Sequence, residues 1–156
     1  MRTALFVVAC VLLGCSSSSS DSGKPRQCLA APVAVDLTQP DVSFKTTIVP
    51  IVTSNCSLPA CHGDSKNSLG IYLPQDGAQI YKAFLAPATT NLKLDYVKAG
   101  SPDDSFVMRK LDGTHCTLDK DCVKGTCGEE MPPGGTLSLD DRHAFRRWIA
   151  QGAKDN

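Results

Sequence analysis

The 156-residue chain sets 16 Lys and Arg against 16 Asp and Glu, so it carries no formal net charge at neutral pH. With no basic excess and no long run of either sign, it lacks the means to displace counterions from a phosphate backbone, and nucleic acid is not an expected partner. The length leaves room for one domain of about 100 residues with additional segments.

Residues 1–14 give one Arg, an apolar stretch too short to span a bilayer as a mature helix, and a small residue before Cys15. That pattern reads as a secretion signal. Leu12-Leu13-Gly14-Cys15 resembles the bacterial lipobox. The resemblance implies an exported bacterial lipoprotein, lipidated at Cys15 and anchored to a membrane facing the periplasm or cell surface. The rival is an ordinary signal peptide cut nearby. Residues 15–41 are expected to be the lipidated N-terminus and a flexible linker, because the Ser-rich tract SSSSSDSGKPRQ cannot bury a core. A tether of about 20 residues reaches roughly 25 Å.

From residue 42 the spacing of Phe44, Ile48, Ile51 and Val52 predicts a helix, kinked or restarted at Pro50. Next comes the cluster NCSLPACHGD, with Cys56, Cys61 and His62. The segment DGAQIYKAFL places Ile80, Tyr81, Phe84 and Leu85 on one face of a short helix. In GSPDDSFVMRKL, Ser101 is the expected N-cap, with Pro102 at the first helical position and Asp103 and Asp104 in the first turn. Met108 shares a packing face with Leu111. The run HCTLDKDCVKGTCG, rich in turn residues, reads as a short cross-linked loop. Ser138 opens the last helix as N-cap with Asp141 three residues on, Gly152 stops it, and Ala144, Phe145, Trp148 and Ile149 form its apolar face. His143 and Arg146 are placed on its wet side. Trp148 offers the largest buried area, so this helix is expected to pack across the first and close the core. Strand signals are weak, and the fold class is small all-α, with an apolar inventory thin enough to need a cofactor or disulfides.

Of eight cysteines, Cys10 lies in the signal and Cys15 is the lipid site, which leaves Cys28, Cys56, Cys61, Cys116, Cys122 and Cys127. Export favours disulfides. Whether all six pair, or Cys56 and Cys61 are spent elsewhere, the remainder is even, so parity does not discriminate. The pairing among Cys28, Cys116, Cys122 and Cys127 also stays open.

Covalent haem attachment requires two thiols to form thioethers and a following His to reach the iron. Cys56, Cys61 and His62 supply that set with a four-residue spacer in place of two, and Pro59 suits the extra turn. Met131, held in GEEMPPGG, supplies a soft distal ligand. With Pro50-Ile51 ahead of the cluster, Gly63 after it, the Ala99-Gly100-Ser101-Pro102 passage and the closing Trp148-Ile149-Ala150-Gln151-Gly152-Ala153, residues 42–156 resemble a class I c-type cytochrome domain. The resemblance implies a cytochrome c-like fold whose N- and C-terminal helices cross, here with a disulfide-rich loop insertion. It implies covalent haem c, with Cys56 and Cys61 as thioether sites, His62 as proximal and Met131 as distal iron ligand. The function implied is electron transfer with other redox proteins, by a carrier rather than a catalyst.

Two alternatives stand beside it. One is a haem-free, disulfide-stabilised surface lipoprotein that acts as an interaction module. The other is a zinc or copper site built from Cys61, His62 and further cysteines. His115 is a secondary candidate for the distal ligand, and otherwise a solvated loop residue.

Overall fold

Pro50 decides the geometry of the first helical segment. It lacks an N–H, and its ring would collide with the carbonyl four residues back. In the computed structural model of the protein, which describes Cys28, residues 34–66, Ser68 and residues 70–156, the chain accommodates it with a wide π-type turn over Phe44–Ile48. Val49, the residue before the proline, donates its N–H to the Phe44 carbonyl, five residues back. Helix α1, Val49–Asn55, follows with Pro50 inside its first turn, where the missing donor costs nothing. Ser43 caps the whole segment by accepting from the Thr46 N–H. The signal, 1–14, and the lipid site Cys15 lie outside the described residues.

Helix α2 covers Gly77–Phe84 and is capped by Asp76, whose carboxylate accepts from the Gln79 N–H at 2.8 Å. Helix α3 covers Phe106–Leu111. The start expected at Ser101 is displaced. Pro102–Asp104 forms only a 3₁₀ turn, and Ser105 precedes α3. The Ser105 hydroxyl is fully buried; it accepts from the Lys98 N–H at 2.8 Å and donates to the Ser101 carbonyl at 2.9 Å. Those bonds hold the chain extended where a continuous helix was expected. A second 3₁₀ segment, His115–Asp121, carries the first half of the cysteine-rich run.

Helix α4, Leu139–Ala150, follows its sequence signals closely. Ser138 accepts from the Asp141 N–H at 3.0 Å. At the other end Gly152, at φ +101°, donates to Ile149 and Ala153 donates to Trp148, the paired bonds of a Schellman stop. Phe145, Trp148 and Ile149 are buried and Ala144 packs beside them. Trp148 meets Phe44 of the first segment at a ring separation of 5.1 Å, Phe84 of α2 at 6.0 Å and Phe145 at 6.5 Å. Its indole N–H donates to the Lys154 carbonyl. The last helix therefore packs on the first, as the apolar faces require. Asn156 then binds the Ser43 hydroxyl and the Phe44 and Lys45 N–H groups, joining residues 43–45 to the chain end. Among the described residues there are helices and three isolated bridges but no extended strand, and no helix is long and apolar enough to cross a membrane.

The segment expected as linker is held at its C-terminal end. Asp36 accepts from Arg147, and Leu37 and Pro40 accept from the Gln151 amide, so residues 36–40 lie along α4. Arg146, placed by periodicity on the wet side of α4, is instead buried. It pairs with Asp112, which is 4% exposed, and at 2.6 Å with Asp103, while Arg142 lies 3.6 Å from Asp112. Burial pushes the Asp112 carboxyl above its ordinary value, opposed by the two arginines.

Candidate functional site

The chain leaving α1 folds back at once on itself. Cys56 and Ser57 both donate to the Val52 carbonyl, and the Leu58 carbonyl accepts from Cys61 at 2.9 Å and from Gly63 at 2.9 Å. The four-residue spacer is thus a compact turn with Leu58, Pro59 and Ala60 outermost, and His62 donates its N–H to Cys56 at 3.1 Å across its base. Gly63 is required here. A Cβ at this position would lie 2.2 Å from the Ser57 carbonyl oxygen.

His62 is buried, and its orientation is fixed from one side. Nδ1 lies 2.7 Å from the Ser68 carbonyl and 3.0 Å from the Ile71 carbonyl. Only a protonated Nδ1 can satisfy carbonyl oxygens, so the basic lone pair is left on Nε2, for which no described residue supplies a hydrogen-bond partner. The strand of chain that provides those carbonyls is itself clamped. Tyr96 donates its hydroxyl to the Gly70 carbonyl at 2.7 Å, Thr89 donates to the same oxygen at 2.8 Å, and Leu73 donates to the His62 carbonyl.

Cys56, Cys61 and His62 form part of the wall of a cavity of about 690 Å³, and Met131 lines the same cavity. The size lies within the range of sites for small molecules and cofactors, about 300–1,000 Å³. The rest of the wall is mainly apolar, from Leu73, Phe84, Phe106, Leu111 and Phe145. Met131 is half-buried and donates its N–H to the Lys110 carbonyl at 3.1 Å. All four sequence-predicted site residues of the folded part therefore converge on one apolar cavity.

The cysteines divide as follows. Cys28 pairs with Cys116 and Cys122 with Cys127, while Cys56 and Cys61 are free thiols. Burial, with a smaller contribution from Cys61, pushes the Cys56 thiol up to about 11. No group of three or more His, Cys, Asp or Glu side chains converges as a metal cage among the described residues. Met108 is buried against Leu111 in the core, as its helical spacing implies. His115 does not line the cavity. It is buried rather than solvated, with Nε2 2.8 Å from the Gly128 carbonyl. Sequence reasoning missed Lys110, which is 8% exposed and lines the cavity. The available signal was its position four residues after the buried Phe106, on the same face of α3.

A scan against protein-family models and searches of curated proteins and of solved structures found no match to this chain.

Proposed function

We propose that this protein is a haem c-binding electron-transfer lipoprotein of cytochrome c-like fold, exported and anchored through Cys15, whose partners are other redox proteins. One observation carries the reading: two free thiols, a histidine whose Nδ1 faces two carbonyls and a methionine line one apolar cavity of cofactor size.

The residues suit the group. A metal-binding histidine characteristically donates its second ring N–H to a carbonyl, which fixes the ring and raises the basicity of the ligating nitrogen; Ser68 and Ile71 supply such acceptors to His62. Cys56 and Cys61 would hold haem by adding each S–H across a vinyl C=C bond, a step that needs no oxidant. His62 Nε2 and the Met131 sulfur would hold the iron. When bound, haem c supplies a one-electron couple at iron. A mainly apolar wall would disfavour extra positive charge on a bound group and a thioether ligand would act in the same direction, so both would raise the potential.

The alternatives have less support. A disulfide-stapled module accounts for the pairs Cys28–Cys116 and Cys122–Cys127 but leaves the free thiols and the oriented His62 without a role. A zinc or copper site built on Cys61 and His62 finds only Cys56 as a further cysteine outside the two disulfides, and no group of three or more His, Cys, Asp or Glu side chains converges among the described residues.

The test is the visible spectrum of protein produced with its signal in a host that matures c-type cytochromes. The expected result is a Soret band and a sharp reduced α-band retained after acid-acetone extraction, with His62→Ala and Met131→Ala each altering the ligation. A colourless protein would contradict the proposal.

A further inference from the structure

Lys110 is a buried cation on the cavity wall that the proposed chemistry does not use. Its ammonium donates to the Cys127 carbonyl at 2.7 Å and to the Glu129 carbonyl, and its own carbonyl accepts the Met131 N–H at 3.1 Å. Between the two ammonium contacts, the Gly128 carbonyl meets His115 Nε2. The segment leading to Met131 is therefore fixed at residues 127, 128, 129 and 131; Lys110 bonds to three of these, beside His115 at Gly128 and Asp119, which accepts from the Cys127 N–H at 2.7 Å.

We infer that Lys110 is the positioning residue for Met131, setting where its sulfur sits in the cavity. The inference rests on the haem reading and adds to it what holds the distal ligand. Lysine suits the task because its ammonium carries three donors that diverge, and Gly128, at φ +74°, turns the chain between the Cys127 and Glu129 carbonyls that meet it. An apolar side chain of similar length would fill the same space and leave two partly or fully buried carbonyls without a donor. Gln is one bond shorter and uncharged, so it would serve them less well. Arg keeps the charge and several donors.

The test compares Lys110→Leu, Lys110→Gln and Lys110→Arg in the full chain, matured with haem. The readout is the thioether-to-iron charge-transfer absorption of the oxidised protein, with Met131→Ala as the zero point. The loss of charge-assisted hydrogen bonds is expected to lower the ligation equilibrium of Met131 by about tenfold or more in Lys110→Leu, less in Lys110→Gln, with recovery in Lys110→Arg. Undiminished Met131 ligation in the Leu and Gln variants would overturn the inference and leave the haem reading intact. If Lys110→Leu does not fold, the Gln and Arg variants decide. If the wild-type protein carries no haem, that reading fails separately, and amide hydrogen exchange tests the clamp in the same variants. Faster exchange at Gly128–Met131 in Lys110→Gln but not in Lys110→Arg would uphold it, and unchanged exchange would overturn it.

Discussion

Replacing Gly63 with Ala tests whether the Cys56–His62 turn has the shape described. The added Cβ would sit 2.2 Å from the Ser57 carbonyl oxygen and 2.7 Å from its carbonyl carbon, against an ordinary contact of 3.4 Å or more. Both neighbours are backbone, so no rotamer change relieves the contact and the turn must open by about 1 Å. Opening puts at risk the bonds of Gly63 and Cys61 to Leu58 and of His62 to Cys56. Overpacking costs about 1–3 kcal/mol, and one or two weakened hydrogen bonds add about 1 kcal/mol each. The expected loss is therefore roughly 3 kcal/mol, a fall in Tm of about 10 °C for a domain of this size. Gly135→Ala is the control, since a Cβ there meets nothing within 4 Å, and its expected effect is within about 0.5 kcal/mol of neutral. Denaturant unfolding of both variants, together with the haem content of the matured proteins, provides the assay. Equal stability of the two variants would refute the close approach of Gly63 to Ser57, and with it the turn that sets Cys56, Cys61 and His62.

Three further outcomes follow from the packing and the charges. Trp148→Ala removes a side chain 1% exposed that touches three aromatic rings, and should cost about 3–5 kcal/mol in urea unfolding; a loss under about 1 kcal/mol would contradict the crossing of α4 on the first segment. Chain-entropy reasoning ranks the disulfides by their separations of 88 and 5 residues: Cys28→Ser should cost about 4.5 kcal/mol and Cys122→Ser about 2 kcal/mol, and the reverse order in thermal unfolding would contradict the ranking. Burial raises the folded-state pKa of Asp112 above the ordinary 3.8, so the folded state holds that proton more tightly. Its contribution to stability is fully present below 3.8 and is lost as pH rises through the raised value. Asp112→Asn lacks this term, so the stability gap between wild type and variant should be wider near pH 4 than near pH 7; a narrower gap at acid pH would reverse the sign.

What the sequence made legible was mostly local. Ser138, Asp141 and Gly152 bound α4 because caps and stops act within one turn, and Pro50 forces its own accommodation within five residues. Met108 and Trp148 follow from helical spacing alone. The cavity residues Cys56, Cys61, His62 and Met131 were legible as a chemical set, although only the folded chain brings Met131 to the other three. Less legible was everything set by long-range contact. Disulfide partners depend on which loops meet, and parity allowed several answers. Arg146 looks solvated by periodicity because its partners, Asp103 and Asp112, come from the other end of α3 and the turn before it. Ser105 interrupts a good helix start because its hydroxyl bonds to Lys98 and Ser101, an arrangement that depends on the preceding turn folding back. Lys110 is a similar case, since the two carbonyls that receive its ammonium lie 17 and 19 residues away.

Mass spectrometry of the peptide that contains Cys56 and Cys61, taken from protein matured in a cytochrome c-competent host, tests the central proposal most directly. The expected result is one haem joined to both sulfurs, with Cys28–Cys116 and Cys122–Cys127 found as disulfides in the same digest. A haem-free peptide with Cys56 and Cys61 joined to each other would contradict it.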